Sequence, residues 1–304
     1  MNVTGVTREV SIETKDRKLL EQEWRRKQLR RVISIVTGSP LTITGFCIVS
    51  GLVVIAILAP FIAPYDPLAI NLREELKPPS LVHPFGTDDL GRDVFSRILY
   101  GTEISLRVGT VALLFILGIG IPLGAISGYF GGKIDTLIMR LGDVFLAFPN
   151  LVLALAISAA LGGGIQNVMI AVAAPAWPWY ARLVRGVTLS AKEEEYIQAA
   201  HALGQSPLRI IFKHILPNCI GPIIVQASQS MGFTILTAAS LGFIGIGAQP
   251  PSPEWGLMVS TGRIHFMDEW WVATFPGLAI LITVLGFSLM GDGLRDILDP
   301  TMRE

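Results

Sequence analysis

The sequence predicts an all-α integral membrane protein with six transmembrane helices and both termini cytoplasmic. Three observations carry this expectation. Of 304 residues, 51% are hydrophobic and only 16% charged, well below the roughly 25% charge of an ordinary soluble domain. Six stretches stay apolar over about the 20 residues that a helix needs to cross the hydrocarbon core, where backbone groups must bond internally. Basic residues gather on one side of those stretches, as they do on the cytoplasmic side of membrane proteins.

Segment 1–40 reads as a cytoplasmic tail. It holds nine of the 24 Lys and Arg: Arg8, Lys15, Arg17, Lys18, Arg25, Arg26, Lys27, Arg30 and Arg31. No apolar core precedes the last cluster, so the tail is not a cleavable signal peptide. Residues 19–32 are helix-prone, with Leu19, Leu20, Trp24 and Leu29 among the charges. They suit an interfacial helix on the inner headgroups; a solvated tail is the alternative. The membrane domain then fills 41–304, with spans expected at 41–63, 106–129, 137–160, 165–183, 220–244 and 270–290. The fourth carries Pro175 and Pro178 and is expected to be short or kinked.

With the N-terminus inside, the inner segments add Lys133, Arg185, Lys192, Arg209, Lys213, Arg295 and Arg303 to the tail's nine, against Arg73, Lys77, Arg92, Arg97 and Arg263 outside. The formal net charge of zero leaves no global field to attract nucleic acid.

In the first outer loop, Thr87 or Asp88 is expected to cap a helix whose Leu90, Val94, Phe95, Ile98 and Leu99 recur at helical spacing. His83, Asp88 and Asp89 do not have metal-site spacing, and capping with ion pairing is the better reading. Near the inner end of span three, Asp143 is a carboxylate at membrane depth, a functional candidate by default. Arg140 lies one turn before it and is expected to pair with it, which favours anchoring over proton transfer; Asp135 reads as an N-cap. Gly120, Gly124 and Gly128 form a small-residue stripe suited to close helix packing. Trp255, Trp270 and Trp271 are placed as interfacial anchors, and the run Pro250-Pro251-Ser252-Pro253 makes a stiff loop. Cys47 and Cys219 lie in or beside spans and read as small packing residues.

The most polar interlude, 193–218, interrupts the apolar pattern with EYIQAAHALGQSPLRIIFKHILPN at 195–218. Ile197, Ala200 and Leu203 share one side of a first helix. Gly204 is expected to end it, Ser206 and Pro207 to begin a second, and Pro217 to interrupt that one. Such a piece is suited to a soluble partner, a connector packed on the membrane face being the plainer alternative.

Its spacing resembles the EAA loop of ABC-importer permeases, Glu-Ala-Ala, three residues, Gly, nine residues, then Ile-x-Leu-Pro. Gln198, Ala199, Ala200, Gly204, His214, Leu216 and Pro217 fall in register, with Gln198 in place of the glutamate and His214 in place of the isoleucine. Longer blocks narrow the resemblance: HPFGTDDLGRDVFSRILYG from His83, GYFGGKIDTLIMRLGDVFLAFPN from Gly128, GFIGIGAQPPSPEWG from Gly242, and FPGLAI with the closing GDGLRDILDP. Together they are similar to the C-type permease subunit of dipeptide, oligopeptide and nickel ABC importers, from about residue 40 onward. The resemblance implies a MetI-like type I importer fold in a bacterial or archaeal plasma membrane. It implies partners too: a second permease subunit in a heterodimer, two cytoplasmic ATPase subunits and an extracytoplasmic substrate-binding protein. It further implies that the loop is a coupling helix, with Gln198, Ala199, Ala200, Gly204, Ser206, Pro207, Arg209, His214, Leu216 and Pro217 as its coupling residues.

The chain contains no GxxxxGK[ST] stretch, so no phosphate-cradling loop supplies ATP hydrolysis here. ATP and magnesium are expected on the partner ATPases, with no cofactor or metal in this chain and no catalytic set among its four scattered histidines. An ion-coupled secondary transporter would want more buried ionisable groups and repeat symmetry than are visible. A non-transporting scaffold is the other rival. Short peptides are the expected cargo; nickel complexes, glutathione and opine-like solutes are the alternatives.

Overall fold

A computed structural model describes residues 39–298. The interfacial helix expected at 19–32 lies outside them. Among the described residues the fold is all-helical, with a single isolated bridge between Thr87 and Asp93.

Helix α1 (Pro40–Ile62) is capped by Ser39, whose side chain accepts from the Thr42 N–H, with Pro40 in the first turn where a missing N–H costs nothing. Helix α2 (Val94–Phe130) has 37 residues, about 55 Å at 1.5 Å per residue, so it overshoots the expected span at its N-terminal end. Helices α3 (Gly132–Leu146) and α4 (Asn150–Ala160) meet at 90°. The continuous third span expected over 137–160 is therefore corrected: Pro149 takes an extended ψ of 127° and disfavours helix at Phe148 before it. The fourth span is broken into α5 (Ile165–Ala173) and α6 (Trp177–Lys192) by a turn at 174–176. Pro175 lies in that turn, and Pro178 starts α6 rather than kinking it.

After two short helices, α7 (Glu195–Ala202) and α8 (Pro207–Ile210), the chain passes through a π-helical turn at Ile211–Ile215 into α9 (Leu216–Ile244). A short helix α10 (Trp255–Gly262), not expected from the sequence, precedes α11 (Trp271–Leu298). Among the described residues, four helical stretches are long and apolar enough to cross a membrane, and a fifth crossing is added if α3 and α4 count as one.

Small residues set the packing. An added Cβ would clash with the Ala181 carbonyl oxygen at Gly124, with Tyr180 at Gly120 and with Thr188 at Gly128, so the stripe seats α2 directly on α6. Gly45, Gly286 and Gly293 do the same between α1 and α11. Two ion pairs clamp α3 to α6: Asp135 receives both Nε and Nη2 of Arg185 at 2.6 Å, and Asp143 receives Arg182. This corrects two expectations. Asp143 pairs across helices rather than with Arg140, and Asp135 is not a cap, because Gly131 begins α3 without a side-chain bond.

The first outer loop is also differently built. Asp93 caps α2, accepting from the N–H and Oγ of Ser96 at 2.7 Å. Thr87 instead receives the Lys77 N–H at 2.8 Å, while Asp88 holds Arg92 at 2.7 Å. His83 is buried between Asp93 at 2.9 Å and Glu74 at 3.2 Å, and its hydrogen bond draws the Glu74 carboxyl below its ordinary pKa. Arg97 ties this loop to the proline run through the carbonyls of Pro67, Pro251 and Ser252. Of the three expected interfacial tryptophans only Trp270 is exposed. Trp255 is fully buried and donates to the Ile98 carbonyl at 3.1 Å, and Trp271 donates to Thr87 O at 3.2 Å. Cys219 is packed, whereas Cys47 is exposed.

Candidate coupling site

The polar interlude folds as helix, locked turn, helix. Three acidic residues, Glu193, Glu194 and Glu195, stand at the start of α7, where carboxylates favour the helix dipole. At its other end the Gln205 N–H bonds Ala200 O at 3.2 Å and the Gly204 N–H bonds His201 O at 3.0 Å. That double closure is a Schellman motif. Gly204 supplies the φ of +70° that it requires, a conformation costing a residue with a Cβ about 1–2 kcal/mol. Ser206 is the N-cap residue of α8 by backbone conformation, its side chain making no cap bond, and Pro207 follows in the first turn.

Pro217 does not end the second helix, contrary to expectation. The preceding turn widens to π geometry, the Leu216 N–H reaching back to Ile211 O, and this slack lets the chain pass a residue that lacks an N–H and crowds the previous turn. The stretch 207–244 consequently runs as one 38-residue helix. Its start is held to the turn by His214, whose Nε2 donates to the Gln205 side-chain oxygen at 3.0 Å, and by Asn218, which donates to His214 O at 3.1 Å and to the Tyr196 hydroxyl.

One face of this element is anchored. Ile197, Ala200, Ile210, Ile211 and Ile215 pack with Ala125 and Tyr129 of α2, Val184 and Ala191 of α6, and Leu216 at the cluster's edge. Tyr129 adds a hydroxyl contact to His201 Nε2 at 3.1 Å, and Lys192 donates to Tyr129 O at 3.0 Å. Gln198 points back to α6, its amide donating to Glu193 O at 3.1 Å, a bond that the glutamate of the family pattern could not make. Ala199, Ser206, Pro207, Arg209 and Pro217 are exposed.

Beside it lie three apolar side chains that no other described residue covers. Leu203 is 81% exposed, Leu208 61% and Phe212 67%. Leu203, on the same side as Ile197 and Ala200 by spacing, is exposed because it is the C-cap residue, past the last turn that faces α6. Leu208 and Phe212 were not among the expected coupling residues; with Ile211 and Ile215 they fall at i, i+3, i+4 and i+7, one stripe by helical spacing, yet Ile211 and Ile215 are buried and Leu208 and Phe212 exposed.

Residues 120–304 match the family model described as binding-protein-dependent transport system inner membrane component, and residues 28–79 that of the N-terminal TM domain of oligopeptide transport permease C. The chain belongs to the binding-protein-dependent transport system inner membrane components. Among similar proteins of this family are the probable D,D-dipeptide transport system permease protein DdpC of Escherichia coli K12, 48% identical over 89% of this chain and 91% of its own length. The dipeptide transport system permease protein DppC of Alkalihalophilus pseudofirmus is 48% identical over 92% and 90%. The glutathione transport system permease protein GsiD of Pectobacterium atrosepticum is 44% identical over 93% and 91%. A solved structure titled as an inward-facing conformation of the MetNI methionine ABC transporter aligns with a TM-score of 0.54 at 19% identity, over 67% of this chain and 97% of that one. It supports a MetI-like permease fold. As a member of this family, the chain is an inner-membrane permease component of a transport system.

Proposed function

We propose that this chain is one of two transmembrane subunits of an ATP-driven importer, and that it carries short peptides delivered by an extracytoplasmic binding protein. The observation that carries the energy-coupling part is mechanical. An exposed apolar face at Leu203, Leu208 and Phe212 is joined through a locked turn to a single helix of 38 residues that enters the membrane. One of two cytoplasmic ATPase subunits binds that face; the pair hydrolyse ATP with their own magnesium and so move the turn, and this chain is not itself catalytic. The displacement passes along α9 and, through the shared core cluster, into α6 and α2. A second, different permease subunit completes the pathway.

The topology in this reading has six crossings, with α3 and α4 as the third and α5 and α6 as the fourth, and the loop cytoplasmic. Thr42 at the start of α1 meets Gly293 near the end of α11, and α11 reaches α9 where Gln229 bonds Asp292 at 3.0 Å. The start of α1 and the end of α11 thus lie together, which supports termini on a common side of the membrane. Peptide is favoured over nickel complexes or opine-like solutes because the similar proteins are named for dipeptides, and glutathione, named for others, is itself a peptide.

The test is reconstitution of this chain with its partner permease, ATPases and binding protein in vesicles loaded with ATP. Uptake of a radiolabelled dipeptide should require both ATP and binding protein. Uptake driven by an ion gradient without ATP would refute the reading.

A further inference from the structure

We infer that this chain carries its own cargo-contacting site: a neutral cradle that reads the amide groups of a short peptide, formed where the two broken helices face α9. The inference rests on the importer reading above. The site is a cavity of about 340 Å³, within the ~300–1,000 Å³ of ordinary small-molecule sites. Its polar wall includes Asn150, Tyr180, Gln226, Gln229, Ser230 and Thr234, and no lining residue carries a charge.

The location is not accidental. Asn150 begins α4 immediately after the 90° bend, Ala176 closes the turn that separates α5 from α6, and Tyr180 lies in the first turn of α6. Irregular backbone at membrane depth is tolerated where it lines a water-filled cavity, and both breaks line this one. Two of its polar atoms are also left without partners. Asn150 Oδ1 and the Tyr180 hydroxyl are buried with no hydrogen bond meeting ordinary geometry, although Tyr180 faces Ser230. Tyr180 as a residue is 1% exposed. A buried polar atom left unpaired is costly, and that cost is removed when a ligand group bonds it. Gln226 donates to Ser230 at 3.2 Å, which leaves its carbonyl to accept. Neutral donors and acceptors of both kinds suit a peptide bond, which offers one N–H and one C=O.

The experiment uses the assembled transporter in nanodiscs without binding protein, with radiolabelled alanyl-alanine and its analogue methylated at the peptide nitrogen as probes in equilibrium dialysis. The wild type should bind alanyl-alanine saturably, and the methylated analogue at least tenfold more weakly. Tyr180→Phe and Gln226→Leu, each checked for assembly by co-purification with the ATPases, should weaken alanyl-alanine binding at least tenfold. Unchanged binding in assembled variants, or equal binding of both probes, overturns the cradle. If the wild type binds neither probe yet imports dipeptide with its binding protein, the cradle fails and the importer reading stands. If it imports no dipeptide, the importer reading itself fails.

Discussion

At the scale of single residues, the two departures from the EAA pattern have separate structural reasons. Gln198 donates to the last carbonyl region of α6 and His214 closes the turn onto Gln205. Restoring the carboxylate by Gln198→Glu removes one exposed hydrogen bond and sets a fourth acid beside Glu193, Glu194 and Glu195. The expected cost is below about 1 kcal/mol, read as a small drop in the thermal midpoint of the assembled transporter, with uptake retained. Glu254 offers a pH test. It caps α10 through the N–H groups of Gly256 and Leu257 at 2.9 and 2.8 Å, yet burial pushes its carboxyl above the ordinary range. The folded state then holds a proton that the unfolded state has released, so stability falls as pH rises from the unfolded value through the folded one. Glu254→Gln keeps the cap acceptor and should flatten that dependence in pH-resolved thermal melts.

At the scale of elements, the uncovered face of α8 and its π-helical extension should behave as an anchor for a partner. Phe212→Ala removes an exposed side chain, so the isolated chain should lose little stability. Association with the ATPase subunits should nevertheless weaken by ~2 kcal/mol, roughly 30-fold, if Phe212 is a central contact; titration of the ATPases onto nanodisc-held permease measures it. What was legible in the sequence at this scale follows from how local the signals are. Spans at 41–63, 220–244 and 270–290 reappear as α1, α9 and α11 because long apolar runs declare themselves. The Gly204 turn was legible for the same reason, glycine and Ser-Pro lying side by side. Pro149 was passed over inside an apolar run, although it bends α3 against α4 by 90°. Asp143 found Arg182, 39 residues away, and no local spacing announces such a pair. Asp93 displaced Thr87 and Asp88 as the cap because the loop's own bonds to Glu74, Lys77 and Arg92 engaged those two first.

At the scale of the whole molecule, loop and membrane form one mechanical path. The cluster around Ile197, Ile211 and Tyr129 joins α2, α6, α7, α8 and α9 at the loop end, and α9 carries any displacement toward the cavity lined by Gln226 and Ser230. That path depends on the turn at Gly204, where no neighbouring atom lies within 4 Å of an added Cβ. A substitution there acts through backbone conformation rather than through a clash. The most direct measurement is ATP-driven, binding-protein-dependent dipeptide uptake by the reconstituted transporter carrying Gly204→Val, a β-branched residue poorly suited to a φ of +70°. The account predicts that the variant complex assembles in the membrane and loses most of its uptake while the ATPases remain bound. Uptake at the wild-type rate would contradict it.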